Sequence, residues 1–136
     1  MAKLSAFGTL LKRGATAVVA VSSISGPGLA LDTEDVTTHD STEAWEEVVA
    51  TILRSGEVTF DIVYDPAAAT HKNAAGGLLA DLVSRTAQTY SLTFTDTAAT
   101  VWSFSAFVTG FEPDMPADGA LTASVTMKIT GKPTIA

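Results

Sequence analysis

Polar and apolar residues alternate over residues 57–64, with Val58, Phe60, Ile62 and Tyr64 on one side and Glu57, Thr59 and Asp61 on the other. That is the period of a strand with one face packed and one face wet; only Val63 interrupts it. Asp65 and Pro66 close the strand, because proline offers no amide hydrogen to a ladder. From Ala74 the period lengthens. Leu78, Leu79, Leu82 and Val83 recur at helical spacing with Asp81 and Arg85 pointing away, which predicts one amphipathic helix of about three turns. Alternation then resumes, with Tyr90, Leu92 and Phe94 opposing Ser91, Thr93 and Thr95. The leucine stripe of the helix therefore has two half-buried strands to cover.

The same reading extends to both ends of the chain. Residues 15–24 read as a strand after an arm over residues 1–14 whose only charges are basic, and Gly26-Pro27-Gly28 breaks the chain. The apolar run at 15–21 is short and edged by Thr16, Ser22 and Ser23, so valine-rich alternation explains it better than a signal segment does. Residues 29–38 can be extended. Residues 41–53 fit two descriptions: Ala44, Trp45, Val48, Val49, Ile52 and Leu53 have helical spacing behind a capping Ser41 or Thr42, whereas the β-branched run 48–53 suits a strand entering a hairpin at 54–56. Residues 100–111 predict a long strand covered on both faces, with Trp102 and Phe104 on one side and Val101, Phe107 and Phe111 on the other. A proline-interrupted loop at 112–119 follows. In the last strand, 120–130, Leu121, Ala123, Val125, Met127 and Ile129 alternate with Thr122, Ser124, Thr126, Lys128 and Thr130. Long antiparallel strands with one dominant helix predict an α+β fold, a β-sandwich or barrel flanked by that helix.

Composition sharpens this picture. The 136 residues suit a single domain, and 17% of them are charged against about 25% in ordinary soluble domains. So little charge predicts that part of the surface is hidden against copies of the chain or against a partner. No apolar run reaches membrane length. The formal net charge of −7, with only eight lysines and arginines, argues against a nucleic-acid binder that grips phosphates. There is no cysteine, which removes disulfides and thiolate metal sites. The strongest charge pattern is local: seven of the fifteen acidic residues lie between Asp32 and Glu47, with no lysine or arginine among them.

Catalytic chemistry finds no support. His39, Asp40 and Ser41 are adjacent in sequence, but no G-x-S-x-G elbow exists. Asp32, Glu34, Asp35 and Asp40 lack the order of a calcium loop. His71 has no second histidine near it for a metal pair, and Gly131-Lys132 has no glycine loop upstream to cradle phosphate. Trp45 and Trp102 read as packing residues. No catalytic, cofactor or metal residue is assigned.

An ordered set of segments does resemble a known family. Gly8-Thr9-Leu10-Leu11-Lys12-Arg13-Gly14, Val21-Ser22-Ser23-Ile24-Ser25-Gly26-Pro27-Gly28-Leu29 and Asp32-Thr33-Glu34-Asp35-Val36-Thr37-Thr38-His39-Asp40-Ser41 are similar to the N-terminal half of major tail tube proteins of phages with flexible, non-contractile tails. Gly56-Glu57-Val58-Thr59-Phe60, Tyr64-Asp65-Pro66, Thr70-His71, Trp102-Ser103-Phe104 and the closing Val125-Thr126 and Thr130-Gly131-Lys132-Pro133-Thr134 follow the same family order. Residues 45–54 depart from it, since the family tends to carry a glycine-containing turn there.

The resemblance implies a structural, non-enzymatic subunit of a phage or of a related gene transfer agent. Six copies would close into a ring through sheet edges, and rings would stack head to tail into a tube that DNA crosses without specific binding. Implied partners are the chain itself, a tape measure protein inside the tube during assembly, a tail terminator, and distal tail or baseplate proteins. Implied location is the tail of the particle, assembled in host cytoplasm, with no membrane contact. Within that frame Glu57, Thr59 and Asp61, with Ser91, Thr93 and Thr126 as neutral companions, are the candidate lining of the bore. Lys3, Lys12 and Arg13 on the arm are the candidate ring-stacking partners of Asp32, Glu34, Asp35, Asp40, Glu43, Glu46 and Glu47 in the acidic loop region of about 32–55. A secretion-tube ring protein and a monomeric β-sandwich binding module are the alternatives.

Overall fold

The computed structural model describes residues 4, 5 and 7–135. Nine strands, one short helix and one 3-10 turn follow in the order β1 (Leu10–Arg13), β2 (Thr16–Ala17), β3 (Val21–Ser25), β4 (Ala30–Asp35), the turn Thr42–Ala44, β5 (Val48–Arg54), β6 (Glu57–Val63), α1 (Leu78–Ser84), β7 (Gln88–Thr93), β8 (Val101–Asp114) and β9 (Thr122–Ile135). Seven strands form one antiparallel sheet in the order β2-β1-β7-β8-β9-β6-β3, and β4 pairs only with β5. The architecture is the expected one, a mostly antiparallel sheet curled into a half-barrel beside one short helix.

The alternating strands place the core. Val58, Phe60 and Ile62 of β6 face Met127, Val125 and Ala123 of β9 in register, and all six are buried. Tyr90 and Leu92 of β7 stand opposite Phe104 and Trp102 of β8 on the same side. Each large side chain so buried contributes about 1.5–3 kcal/mol. Leu78 of α1 closes this face, together with Val18 and the buried His71.

The helix is shorter than its leucine pattern predicts, two turns over Leu78–Ser84. It is also turned: Val83 is exposed, while Asp81, expected to point away, is buried. The reason is a partner on β1. Arg13 donates from Nε and from an Nη to the two Asp81 carboxylate oxygens at 2.7 and 2.8 Å, and the Tyr90 hydroxyl donates to the same carboxylate at 2.5 Å. The end of the arm is therefore a strand, since Leu10–Arg13 pairs with β7 and Arg13 pins the helix.

Three further expectations change. The strand predicted at 15–24 is split between β2 and β3 by a turn in which Ala20 has φ 59°; His71 Nε2 donates to the Val19 carbonyl at 2.8 Å, and the Val19 amide donates to Thr70 Oγ1 at 3.3 Å. Strand β8 runs through Pro113 to Asp114 instead of stopping before a loop at 112. Proline is tolerated there because β7 ends opposite Ala106 and leaves this half of β8 at an edge. A register shift between Val108 and Gly110 moves Phe111 to the core side, away from Val101 and Phe107, so the strand is packed on one face and Phe107 stays 39% exposed on the other.

Residues 41–53 are not a helix. A single 3-10 turn at Thr42–Ala44 leads into β5, which pairs with β4 rather than forming a hairpin with β6. The acidic region is thus a β-ribbon, and every residue of β5 is exposed. Its base is narrow: a Cβ on Gly56 would lie 2.5 Å from the Gly28 carbonyl oxygen, and one on Gly26 would lie 2.3 Å from that of Glu57. Only glycine permits the two linking segments to cross so closely, and both positions have positive φ. Trp102 packs edge to face against Phe94, as a packing residue should. Trp45, given the same role, is 72% exposed, because the ribbon has no core of its own.

Candidate functional site

Directly opposed residues in an antiparallel pair share a face, so the registers define what the sheet presents on the side away from the core. Glu112, Ser124, Asp61 and Ser23 form one row across β8, β9, β6 and β3. Gly110, Thr126, Thr59 and Ser25 form the next, and Phe107, Lys128 and Glu57 a third. Further along, Lys12, Ser91 and Ser103 make a row across β1, β7 and β8, with Thr93 beside Val101. Glu57, Thr59, Asp61, Ser91, Thr93 and Thr126 therefore all lie on one face. Thr59 and Thr126 are neighbours in register, whereas Ser91 is buried and lies with Thr93 in the other half of the sheet.

The face is hydroxyl-rich, with Glu57, Asp61, Glu112 and Asp114 as its carboxylates and Lys12 and Lys128 as cations. Ser23 Oγ donates to Asp61 Oδ2 at 3.1 Å, and Thr109 Oγ1 donates to the Thr126 carbonyl at 3.2 Å.

The sheet is staggered, and that leaves borders open. β7 covers β8 only as far as Ala106, while β6 covers β9 only from Thr122 to Lys128. Four strands, β3, β6, β9 and the second half of β8, thus form a unit whose two outer borders, Val21–Ser25 and residues 107–114, meet no other strand among the described residues. Beside the first border runs a groove of about 970 Å³, lined among others by Val21, Ile24, Leu92 and Phe94, with Leu4 and Phe7 at its side.

The second feature is the ribbon β4–β5. Leu31 stands opposite Leu53, and Leu31, Val48, Val49, Ile52 and Leu53 are all exposed. Its tip is held by local bonds: the Glu47 amide donates to Thr37 Oγ1 at 2.8 Å, the Thr38 amide to Ser41 Oγ at 3.0 Å, and the Thr37 amide to Asp35 Oδ1 at 2.8 Å. The Thr37 hydroxyl and amide hold the Asp35 carboxyl below its ordinary range. Ser41 is thereby a turn residue with its oxygen on the backbone, not a nucleophile beside His39. The tip bears a bare tryptophan with exposed apolar side chains behind it, the composition that association surfaces have.

The stacking candidates separate. Asp32, Glu34, Asp35, Asp40, Glu43, Glu46 and Glu47 lie together on the ribbon and its tip, where Asp32 is joined to Arg54 at 2.7 Å. Lys12 and Arg13 point to opposite faces of β1. The Arg13 guanidinium is held by Asp81, whose hydrogen bonds raise its pKa further, and so it is engaged within its own chain. Lys3 lies outside the described residues.

Periodicity did not single out the polar residues of β8 and β3, or Lys128 as the partner of Glu57. Their signal is the run Ser103, Ser105, Phe107, Thr109 along β8 and the serines 22, 23 and 25 of β3. Among the described residues no three histidine, aspartate or glutamate side chains converge as metal ligands, and no helix is long and apolar enough to cross a membrane.

Known proteins share this arrangement. A chain from the virion of a native gene transfer agent particle superposes with a TM-score of 0.73 at 12% identity, covering 94% of this chain and 95% of that one. A chain from the sheath/tube terminator of an extracellular contractile injection system, in its extended state, gives 0.74 at 15%, with 100% and 98% covered. The tail of an empty gene transfer agent particle, refined with C6 symmetry, gives 0.70 at 15%, with 93% and 94% covered. These likenesses are of fold. No curated protein sequence matches the chain. The sequence model described as "Lambda phage tail tube protein, TTP" matches residues 8–136, nearly the whole length. The chain thus belongs to the lambda phage tail tube protein family, a family of structural proteins and not of enzymes.

Proposed function

We propose that copies of this chain close side by side into rings, six to a ring as the family resemblance implies, and that rings stack head to tail into a tube through which DNA passes. One observation carries this reading: among the described residues the four-stranded unit leaves both its borders unpaired. Open borders invite association, and a closed ring removes them. β3 runs antiparallel to β6, β6 to β9, and β9 to β8. Setting β3 of one copy beside β8 of the next therefore continues the antiparallel alternation around the ring. The neighbour's Phe111, on the core side of that border, would then cover the apolar groove beside Val21 and Ile24.

In such a ring the row-forming face, with Glu57, Thr59, Asp61 and Thr126, lines the bore. The ribbon β4–β5 covers its leucines and valines against another copy, with its acidic residues at the joint between rings. Ser91 and Thr93 share the face outside the four-stranded unit. A tape measure protein in the bore, a terminator and a distal tail complex complete the particle as the resemblance implies.

The absence of cysteine makes the test clean. Ser23→Cys together with Thr109→Cys, one on each border, should give disulfide-linked ladders up to the ring number under mild oxidation, and negative-stain microscopy should show hollow rings or tubes. A chain that remains a monomer at high concentration, with no ladder from any cysteine pair across the two borders, sinks the reading in favour of a monomeric binding module.

A further inference from the structure

The polar face is charge-ordered along its strands. At the end where β8 turns into β9, Glu112 and Asp114 stand opposite Ser124 and Thr122, with Asp61 in the next strand. These three carboxylates line a cleft of about 500 Å³ whose remaining walls carry no lysine or arginine. Among the described residues Glu112 and Asp114 take part in no side-chain hydrogen bond or ion pair. Further along β9 lie Lys128 and Lys132, both exposed and likewise without an ion pair among the described residues. Lys132 is eight residues from Ser124, about 26 Å of extended chain, and so lies toward the opposite end of the sheet from the carboxylates; Lys128 stands midway along β9, in the row of Glu57.

We infer that the carboxylate end of one copy, Asp61, Glu112 and Asp114, receives Lys132, with Lys128 behind it, from a second copy in the adjoining ring. The inference rests on the stacked-ring reading and names the contact that gives the stack its direction. Head-to-tail joining needs two different patches on one subunit, facing opposite ways; the sheet has such a pair, with opposite signs. Reversing a ring brings carboxylates against carboxylates or lysines against lysines, and such contacts are repelled. This joint uses the ends of the sheet and is separate from the ribbon. It takes over the role expected of Arg13, which Asp81 occupies.

The experiment uses two charge variants of the full chain, Lys128→Glu with Lys132→Glu and Glu112→Lys with Asp114→Lys, with thermal unfolding as the check on folding. The first carries acid at both ends and the second base at both ends. Each alone should form rings that fail to elongate, with mean tube length down at least tenfold in micrographs, and an equimolar mixture should elongate again by alternation. Should either variant lose its fold, Lys128→Gln with Lys132→Gln serves, and its tubes should fall apart at lower salt than those of the natural chain. Tubes of natural length and salt resistance from a folded variant alone overturn the inference while leaving the ring reading intact. Tubes that elongate only with added calcium, whatever the lysines, overturn it in favour of a cation in the cleft. If the natural chain forms no rings, the stacked-ring reading fails and this inference falls with it.

Discussion

Arg13 and Asp81, 68 residues apart in sequence, meet through two parallel hydrogen bonds of 2.7 and 2.8 Å that fasten β1 to α1. The carboxylate is nearly out of water, with 5% of its side chain exposed against 22% for the arginine. Removing one member leaves the other charge buried and unanswered, at a cost of about 3–5 kcal/mol. Arg13→Ala should therefore destabilise the chain by that amount in urea unfolding. Lys12→Ala, on the opposite face of the same strand, should stay within about 0.5 kcal/mol. An apolar set, Arg13→Met with Asp81→Leu and Tyr90→Phe, which also removes the hydroxyl that Asp81 accepts from, should recover most of the loss.

Tyr90 is the third member of that cluster. Burial first, and then its bond to Asp81, push its phenol well above the ordinary tyrosine range. A raised folded pKa means that the unfolded chain gives up its proton earlier, so the contribution is complete below about pH 10 and is lost as pH rises through the folded value. Melting temperature should hold up to about pH 10 and then fall. In Tyr90→Phe the part of that fall due to the phenol should be missing, although the variant starts from a lower plateau.

Exposure separates folding from assembly in the ribbon. Trp45 is 72% and Leu53 81% exposed, so Trp45→Ser with Leu53→Ser removes almost no contact within the chain. Unfolding should shift by less than about 0.5 kcal/mol per site. Assembly followed by light scattering should be lost or slowed at least tenfold. Equal slowing with a matching loss of stability would mean that the two side chains serve the fold itself.

The bore assignment has a functional readout. Thr59→Arg with Thr126→Arg places two adjacent cations on the polar face, where each phosphate contact would add salt-dependent adhesion. Particles carrying the pair should assemble normally and eject DNA more slowly, with the defect relieved as salt rises. Unchanged ejection at low salt would put this face elsewhere than on the bore.

What the sequence made legible was the local periodicity of the sheet. Strict alternation identified β6 and β9 and their buried side chains, because period two depends only on neighbours along the chain. The carboxylate of Asp81 looked solvated because its partner lies on a distant strand, and no helical wheel registers an arginine 68 positions away. Helical spacing in 41–53 was a coincidence of β-branched residues. What decided for a ribbon was β4, pairing from the far side of the acidic turn. The bulge that turns Phe111 inward, and the stagger that bares the second half of β8, are properties of register, which period two leaves undetermined by one residue. The bore candidates were found together because alternation sorts faces; the borders were not, because nothing in a strand's own residues says whether it has a neighbour.

The four-strand unit has a geometric consequence of its own. An even count of strands lets any number of copies join with matched antiparallel bonds, so hydrogen bonding does not fix the circumference of a ring made from them. The angle between the two borders does, and that angle follows the bend of the wall. The extra residue between Val108 and Gly110 sits on one of those borders, and such an insertion bends its strand. Deleting Thr109 would flatten the arc, and a flatter arc closes on a wider circle with more subunits.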